Sequence, residues 1–387
     1  MNAPVLRLGA PTTLRAEVLP VAALDPRAWD ALTAHALAPS PDYSRQMIEA
    51  HRANGLAPAD LACLAVRDGG DLLALLPFRR ARLGPRLRVA KPFGSPFIMA
   101  KAPLVADGAA FAPALAALVE GLGQSCGGSG WWWPGLPADE PVGRALRRAM
   151  QEAGWQLTTI SSYERPILDR RPSHDAFLSG HPCKGRLKDL RRRRRRLDEA
   201  GCVCVESVGP DGDLAGAVRA FLALEGRGWK GRAGTALASR AVTTAFAQDL
   251  FAAGTRPFVP RADLLRLDGA VIAASLALVG RGTAFLIKTA YDEDHAALAP
   301  GALLELEIIR AFHAGDFARR LDSVTIENRI LGDLYPDRTR IAEIAAVPPG
   351  GLDPARLTGA IERYLGLWRL AQRGRAVLRR VRTGRVR

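Results

Sequence analysis

The chain has 387 residues, 48% of them hydrophobic, and its 54 basic and 39 acidic side chains give it a net charge of +15. This composition excludes a wholly disordered chain, and the length predicts two or three domains that each bury a core. The uncharged apolar run at 269–280 is too short to span a bilayer, and the N-terminus lacks an apolar signal core. We therefore expect a cytoplasmic protein, or one that is peripheral to a membrane.

The first half of the chain predicts alternating helices and strands. The predicted helices are 26–37, 44–53, 108–122 and 141–153, and the predicted strands include 61–67, 71–80, 155–160 and 163–168. The three tryptophans at 131–133 cannot all face one core on a strand, because successive side chains point to opposite faces. They therefore pack in the core and in a contact between domains, or Trp132 or a neighbour reaches an interface or a cleft.

Two hairpin signals lie 200 positions apart. Asp68-Gly69 and Asp268-Gly269 are each flanked by apolar runs, which is typical of a β-hairpin. The repeat suggests two related domains, although two unrelated hairpins that share a common turn would give the same pattern. We predict domains at 14–170 and 171–350, followed by a C-terminal helix and basic tail at 351–387.

The second half changes between helical and strand periodicity several times. Helices are predicted at 173–200 with a break at His181-Pro182, at 214–225, at 242–253, from Ala302 onward and at 353–382. Strands are predicted at 201–208, as a three-stranded antiparallel meander over 262–290, and at 322–326 and 341–347. Glu327, Asn328 and the segment 334–338 are predicted to form a polar loop.

The excess positive charge is concentrated in two segments. Residues 184–196 hold nine basic side chains and one acid, including six consecutive arginines from Arg191 to Arg196, and residues 369–387 hold eight arginines and no acid. A solvated helical face explains the first segment. The functional alternatives are contact with the phosphates of CoA or an acyl carrier, with tRNA, or with an anionic polymer or membrane.

Five cysteines, odd in number and irregularly spaced, argue against a disulfide framework. His181, Cys183, Cys202 and Cys204 could supply four metal ligands, but their spacing is not that of common zinc sites. We therefore expect structural thiols and no metal.

The connection from the meander to the helix at Ala302 is a candidate anion site. A strand ends, Pro300 and Gly301 turn the chain, and the helix start exposes N–H groups and the positive end of its dipole. Gly301 lets a ligand approach the backbone closely, which suits a pyrophosphate. A plain strand–turn–helix connection is the alternative.

Four segments carry a family resemblance: 221–236, 267–276, 288–294 and 299–305. Together they resemble the CelD-like group of GNAT-superfamily acyltransferases, which is related to the FemAB-like transferases. The resemblance covers about 172–340. It implies an α/β (α+β) fold of two tandem GNAT-like domains, each a mixed, mostly antiparallel sheet flanked by helices. It also implies an N-acyltransferase that moves an acyl group from acetyl-CoA or another acyl-CoA to a small-molecule or glycan amine, in polysaccharide or envelope biosynthesis.

Direct acyl transfer requires a base for the amine, donors for the developing oxyanion and an acid near the leaving thiolate. Glu225 is the candidate base, because apolar surroundings at the helix end would raise its pKa, and a surface glutamate is the alternative. Tyr335 is the candidate acid. Lys288 would contact CoA phosphates or pair with an acid such as Asp292. The remaining candidates are Pro300, Gly301 and Ala302 for CoA, and Trp229, Lys230, Tyr291 and Asp292 for the acceptor.

Two other functions fit the same sequence. The basic helix favours FemAB-like transfer of an aminoacyl group from tRNA. A non-catalytic protein of exopolysaccharide assembly would use the basic helix and the C-terminal tail to hold an anionic partner.

Overall fold

The structure, a computed structural model, describes residues 14–38, 40–254, 256–326 and 329–384. Glu327 and Asn328, predicted to form a polar loop, lie outside the described residues, as do the side chains of Arg329, of Arg373 and of the tail from Arg375 onward. The first half contains β1 Ala16–Pro20, α1 Pro26–His35, α2 Arg45–Ala53, β2 Ala62–Asp68, β3 Asp71–Arg82, β4 Arg88–Pro92, β5 Leu104–Val105, α3 Phe111–Cys126, β6 Trp131–Pro137, α4 Pro141–Glu152 and β7 Gln156–Asp169.

The second half continues the alternation. It contains α5 His174–Gly180, α6 Lys184–Ala200, β8 Val203–Val208, α7 Leu214–Arg227, α8 Trp229–Arg232, α9 Ala241–Leu250, β9 Val259–Leu267, β10 Ala270–Gly280, β11 Thr283–Tyr291, α10 Pro300–Ala314, β12 Arg320–Asp322, α11 Arg329–Leu334, β13 Asp337–Val347 and α12 Pro354–Gly384. Local signals set many of these bounds: the Asp25 side chain accepts the N–H of Ala28 at 2.8 Å and caps α1.

The strands of the described residues form one 13-stranded sheet in the order β1-β2-β3-β4-β6-β13-β7-β12-β11-β10-β9-β8, with β5 paired to β3. Most neighbours are antiparallel, whereas β4–β6 and β11–β12 are parallel. Helices flank this mixed sheet, which confirms the predicted fold class. The two predicted hairpins and the meander are also confirmed as β2–β3 and β9–β10–β11.

The two halves share strands at the centre of the sheet. β13 comes from the end of the chain, yet it pairs with β6 on one side and β7 on the other. The predicted pair of strands at 155–160 and 163–168 is wrong, because β7 is one continuous strand. It pairs with β13 along both predicted parts, with a shift in register near Ser161. The predicted domain boundary at Arg170 stays a prediction.

Two strand predictions near the end of the chain are also corrected. The strand predicted at 322–326 is β12, which begins at Arg320 and ends at Asp322 because the chain leaves the sheet at Ser323. The strand predicted from Ile341 begins at Asp337, since polar residues at its start still pair with β7.

The sheet separates three packed clusters. One face of β9–β11 packs on α7 and α9, and the other packs on α5, α6 and α10. Trp131 and Trp133 are fully buried in the first cluster, whereas Trp132 points to the opposite face and meets Tyr364 of α12 at a ring distance of 5.3 Å. The expected alternation of the tryptophans is confirmed. None of the helices in the described ranges has an apolar stretch long enough to cross a bilayer.

Candidate active site

The central feature of the site is a gap between β11 and β12. These strands pair in parallel only from Thr283 to Phe285, and the chain after β12 then diverges from β11. A cavity of about 390 Å³, here called the cleft, lies between β11 and the chain that follows β12. Its lining residues are Ile287, Lys288, Val324, Thr325 and Ile326 from the second half and Pro96, Phe97 and Met99 from the first half.

A β-bulge directs Lys288 to this gap. Lys288 pairs with Leu276 of β10, and Leu286 pairs with the next residue of β10, Ala277. Ile287 therefore has no partner on β10 and is the extra residue of the bulge. A bulge re-aims the side chains on either side of it. Leu286 packs in the cluster with α10, whereas Lys288 reaches Glu225 on α7.

Glu225 is buried between two cations. It is 2% exposed, and its Oε1 atom lies 3.1 Å from Lys288 Nζ and 3.3 Å from Lys230 Nζ. Its Oε2 atom accepts the N–H of Leu237 at 2.8 Å. A buried carboxylate needs such partners. The surface alternative is therefore wrong, and so is the expectation of apolar surroundings, because two ammonium groups surround the carboxylate.

Lys230 has an unusual electrostatic position. Its Nζ donates to the carbonyl of Thr289 at 3.1 Å as well as pairing with Glu225. Burial lowers the pKa of Lys230, and the neighbouring charge of Lys288 also lowers it, whereas Glu225 opposes the change. The net lowering increases the fraction of Lys230 that is neutral, a form that can accept a proton.

Asp292 has a local structural role. Its side chain accepts the N–H of Asp294 at 3.0 Å and caps the short helical turn Glu293–Leu298. Lys288 pairs with a buried acid, as predicted, but that acid is Glu225 rather than Asp292.

Most of the predicted acceptor residues meet beside Glu225. A small cavity of about 40 Å³ is lined by Glu225, Trp229, Lys230 and Tyr291. Trp229 is 54% exposed at the start of α8, and its N–H donates to Glu293. The structure therefore brings the predicted base and three predicted acceptor residues to one place.

The start of α10 offers fewer donors than its sequence suggests. The helix begins at Pro300, which has no N–H, and the N–H of Ala302 is bonded to the carbonyl of Ala299 at 3.0 Å. The ring of Tyr291 lies 3.4 Å from where a Cβ at position 301 would stand. Of the three predicted pyrophosphate contacts, Gly301 is thus the position that can present a backbone N–H.

Tyr335 lies away from the cleft. It is fully buried in the cluster with α10, on the opposite face of the sheet from α7, and its hydroxyl donates to Glu305 Oε1 at 2.5 Å. The predicted polar loop is only the two-residue connection between α11, which ends at Leu334, and β13, which begins at Asp337, and Tyr335 in this connection is buried rather than polar surface. Burial, and then the adjacent Glu305, raise the pKa of Tyr335 well above 10. The structure does not bring the predicted acid to the predicted base.

Glu305 makes the stability of this cluster sensitive to pH. Burial raises its pKa from 4.5 to about 7, so the folded state binds more protons than the unfolded state between these values. The free energy of unfolding is expected to fall by roughly 3 kcal/mol as the pH rises through this window. Glu305→Gln removes this pH dependence of the free energy of unfolding. Glu120→Gln, which changes an exposed carboxylate, leaves the pH dependence in place. Urea unfolding at about pH 5 and about pH 8 measures the slope, and an unchanged slope in Glu305→Gln contradicts the assignment.

The arginine-rich helix α6 packs through leucines and exposes part of its charge. Leu187, Leu190 and Leu197 are buried. Arg193 donates to the carbonyl of Ala297, just before α10, and Arg194 pairs with Glu307 at 2.6 Å. The exposed members of the run are Arg191, Arg192, Arg195 and Arg196.

No group of metal-ligating side chains stands out in the part of the chain that the structure describes. Cys202 and Cys204 are exposed on or beside β8, an edge strand, so the expectation of packed structural thiols is wrong for these two. His181 is buried, and its Nε2 atom lies 3.2 Å from the carbonyl of Leu334.

Sequence comparison adds an independent finding. Residues 184–329 match the family described as "Acetyltransferase (GNAT) domain". This region of the second half is therefore similar to a GNAT acetyltransferase domain. The matched region contains Glu225, Lys230, Lys288 and the β11 wall of the cleft. No curated protein matches the sequence.

The chain resembles several solved structures over most of its length. FemX has a TM-score of 0.56 at 9% identity and covers 86% of this chain and 97% of its own. The C-terminal domain (DUF2156) of a putative lysylphosphatidylglycerol synthetase from Agrobacterium fabrum has a TM-score of 0.52 at 13% identity, covering 87% of this chain and 94% of its own. At these identities the likeness shows the fold alone. The CelD-like assignment stays a prediction.

Proposed function

We propose that this protein is an N-acyltransferase that moves an acyl group from acetyl-CoA or another acyl-CoA to an amine. The observation that supports it most is the buried Glu225 carboxylate, held between Lys230 and Lys288 beside the cleft of a GNAT domain. A role in polysaccharide or envelope biosynthesis and a cytoplasmic or membrane-peripheral location stay predictions.

The transfer needs no covalent intermediate on the protein. The acceptor nitrogen forms an amide bond with the acyl carbon while the carbon–sulfur bond of the thioester breaks. One proton leaves the nitrogen and one reaches the sulfur, so no other reactant is required. The protein has to orient the amine, accept its proton and stabilise the charge that develops on the carbonyl oxygen.

The geometry supports a division of these tasks. Lys230 rests as an ammonium group paired with Glu225, and its lowered pKa increases the fraction that is neutral and can accept the amine proton; Glu225 holds Lys230 in place and stabilises the ammonium group that forms. Lys288 lines the cleft and supplies positive charge beside the thioester. Gly301 presents its N–H to the pyrophosphate at the start of α10.

Release of CoA thiol tests the proposed reaction. Purified protein is mixed with acetyl-CoA or longer acyl-CoAs and with a panel of small amines, and free thiol is measured against a protein-free control. Amine-dependent thiol release from at least one acyl-CoA supports the proposal. A chain that binds acyl-CoA but forms no amide with any amine, glycan amines included, contradicts it.

The exposed arginines of α6 favour one second candidate, aminoacyl transfer from tRNA. The quadruple change of Arg191, Arg192, Arg195 and Arg196 to Gln removes four exposed charges and keeps the structural contacts of Arg193 and Arg194. We expect the variant to keep its acyl-CoA kinetics within about threefold, because exposed charges contribute little in water. Loss of co-purifying tRNA together with loss of activity would instead favour the tRNA-dependent reaction.

A further inference from the structure

A second cavity lies between the two halves of the protein. It encloses about 540 Å³ where β7, β12 and β13 meet, and five arginines and five carboxylates are among its lining residues. Asp139, Arg144, Arg281 and Arg338 are exposed to solvent, whereas Arg165 is buried, and a buried charge needs partners. The partners of these groups therefore show what the cavity is built to hold.

Several of the charged groups already satisfy one another. Arg320 lies 3.0 Å from Glu140 and 2.6 Å from Asp169. Arg281 donates to the carbonyls of Ala34 and Ala36 at 2.8 and 3.3 Å. These contacts join the two halves.

Arg165 differs from the other arginines of the cavity because it is buried. It is 2% exposed, its Nη2 atom donates to the carbonyl of Met99 at 3.1 Å, and its nearest carboxylate oxygen, on Asp322, is 3.5 Å from Nη1. Among the described residues, its Nε–H has no hydrogen-bond partner. A buried guanidinium with an unused N–H is costly, and a planar carboxylate or a phosphate is the acceptor that its geometry fits.

The cavity adjoins the cleft. Phe285 of β11 lines the cavity and Ile287 lines the cleft, so about 7 Å of strand separates them. On the opposite side, Met99 lines the cleft and Ala100 lines the cavity. Arg165, which holds the Met99 carbonyl, therefore lies at the boundary between the two spaces.

We propose that this cavity binds the acceptor of the transfer reaction, and that the acceptor is an amine carrying a carboxylate or phosphate held by Arg165. The inference rests on the proposed acyl transfer and adds the chemical class of the acceptor. The anion occupies the cavity, and the amine extends over the boundary to the thioester in the cleft. A short, flexible spacer between the two groups matches the separation.

Matched pairs of amines test this in the wild-type protein. 4-Aminobutanoate is compared with 4-aminobutan-1-ol, and phosphoethanolamine with ethanolamine, in the thiol-release assay. The anionic member of at least one pair is expected to have a KM about tenfold or more below that of its neutral partner, because a charge-assisted hydrogen bond is lost in the neutral one. The pair that discriminates identifies carboxylate or phosphate. Equal KM values within both pairs overturn the inference.

Arg165→Gln shows whether Arg165 is responsible. We expect the KM of the anionic amine to rise about tenfold or more, while the KM of the neutral amine and the affinity for acyl-CoA stay unchanged. Arg148→Gln, an exposed change on α4, is the matched control. If Arg165→Gln does not fold, Arg165→Lys keeps the charge but loses the planar fork, and the same selective rise is expected. An equal rise for both amines contradicts the assignment.

A binding experiment separates this inference from the proposed function. Phosphoethanolamine and 4-aminobutanoate are titrated calorimetrically into the protein without acyl-CoA. Saturable binding that Arg165→Gln abolishes supports the cavity even if no acyl-CoA binds. The anions are also titrated into the protein with CoA bound. If acyl-CoA binds but neither anion binds under either condition, the inference is overturned and the proposed function stands.

Discussion

Glu225→Gln is expected to lower kcat/KM about 100-fold or more, within the range that proton transfer contributes to enzymatic rates. The amide keeps the size of the side chain but removes the charge that holds Lys230 and Lys288 at 3.3 and 3.1 Å. Glu152→Gln, an exposed carboxylate on α4, is the control and should retain its activity. Thiol release under saturating acyl-CoA measures the effect.

The pH profile of Glu225→Gln distinguishes this role from a merely structural one. Glu225 raises the pKa of Lys230, whereas burial and Lys288 lower it. Removing the carboxylate therefore lowers the pKa of Lys230 further, and the rising limb of kcat/KM against pH moves to lower pH. A loss of activity with an unmoved limb would mean that Lys230 is not the proton acceptor.

Trp133→Ala is expected to lower the free energy of unfolding by roughly 3–5 kcal/mol, the cost of truncating a buried aromatic side chain. Trp133 is fully buried on β6 opposite Ile344 of β13, and its indole N–H donates to the carbonyl of Lys101. The change opens the core where the last strand of the chain pairs with the first half.

Trp368→Ala provides the matched comparison, because Trp368 is 52% exposed on α12. This variant should unfold within about 0.5 kcal/mol of the wild type. Urea unfolding followed by far-UV circular dichroism measures both. Similar losses in the two variants would contradict the placement of β13 beside β6.

The features that could be predicted from sequence are those with local causes. Asp268-Gly269 made the β9–β10 hairpin predictable, because both residues adopt positive φ, 50° and 83°, and Asp-Gly is a preferred pair for such a turn. The break between α5 and α6 follows from His181-Pro182 in the same way.

The features that could not be predicted depend on distant pairing. β13 lies between β6 and β7, and the segment 96–99 closes the cleft, yet no local pattern signals either contact. The burial of Tyr335 could not be predicted, because its sequence neighbours are polar and its partner is distant in sequence. In the structure its hydroxyl donates to the carboxylate of Glu305 in the interior.

The site itself was predicted in part. Glu225, Trp229 and Lys230 are predicted from their position at a helix end, and Tyr291 lies in the turn after the meander; the structure places all four around one small cavity. The pairing of Glu225 with Lys288 depends on the bulge in β11, which the sequence does not reveal. Their roles in catalysis stay predictions.

Calorimetric titration with acetyl-CoA and longer acyl-CoAs tests the central claim most directly, because the cleft between β11 and residues 323–326 is assigned to the donor. We predict saturable binding of at least one acyl-CoA, with a dissociation constant roughly micromolar to submillimolar, that is lost when Ile287→Trp fills the cleft and retained in Trp368→Ala. The absence of binding by any acyl-CoA, or full binding by Ile287→Trp, would contradict it.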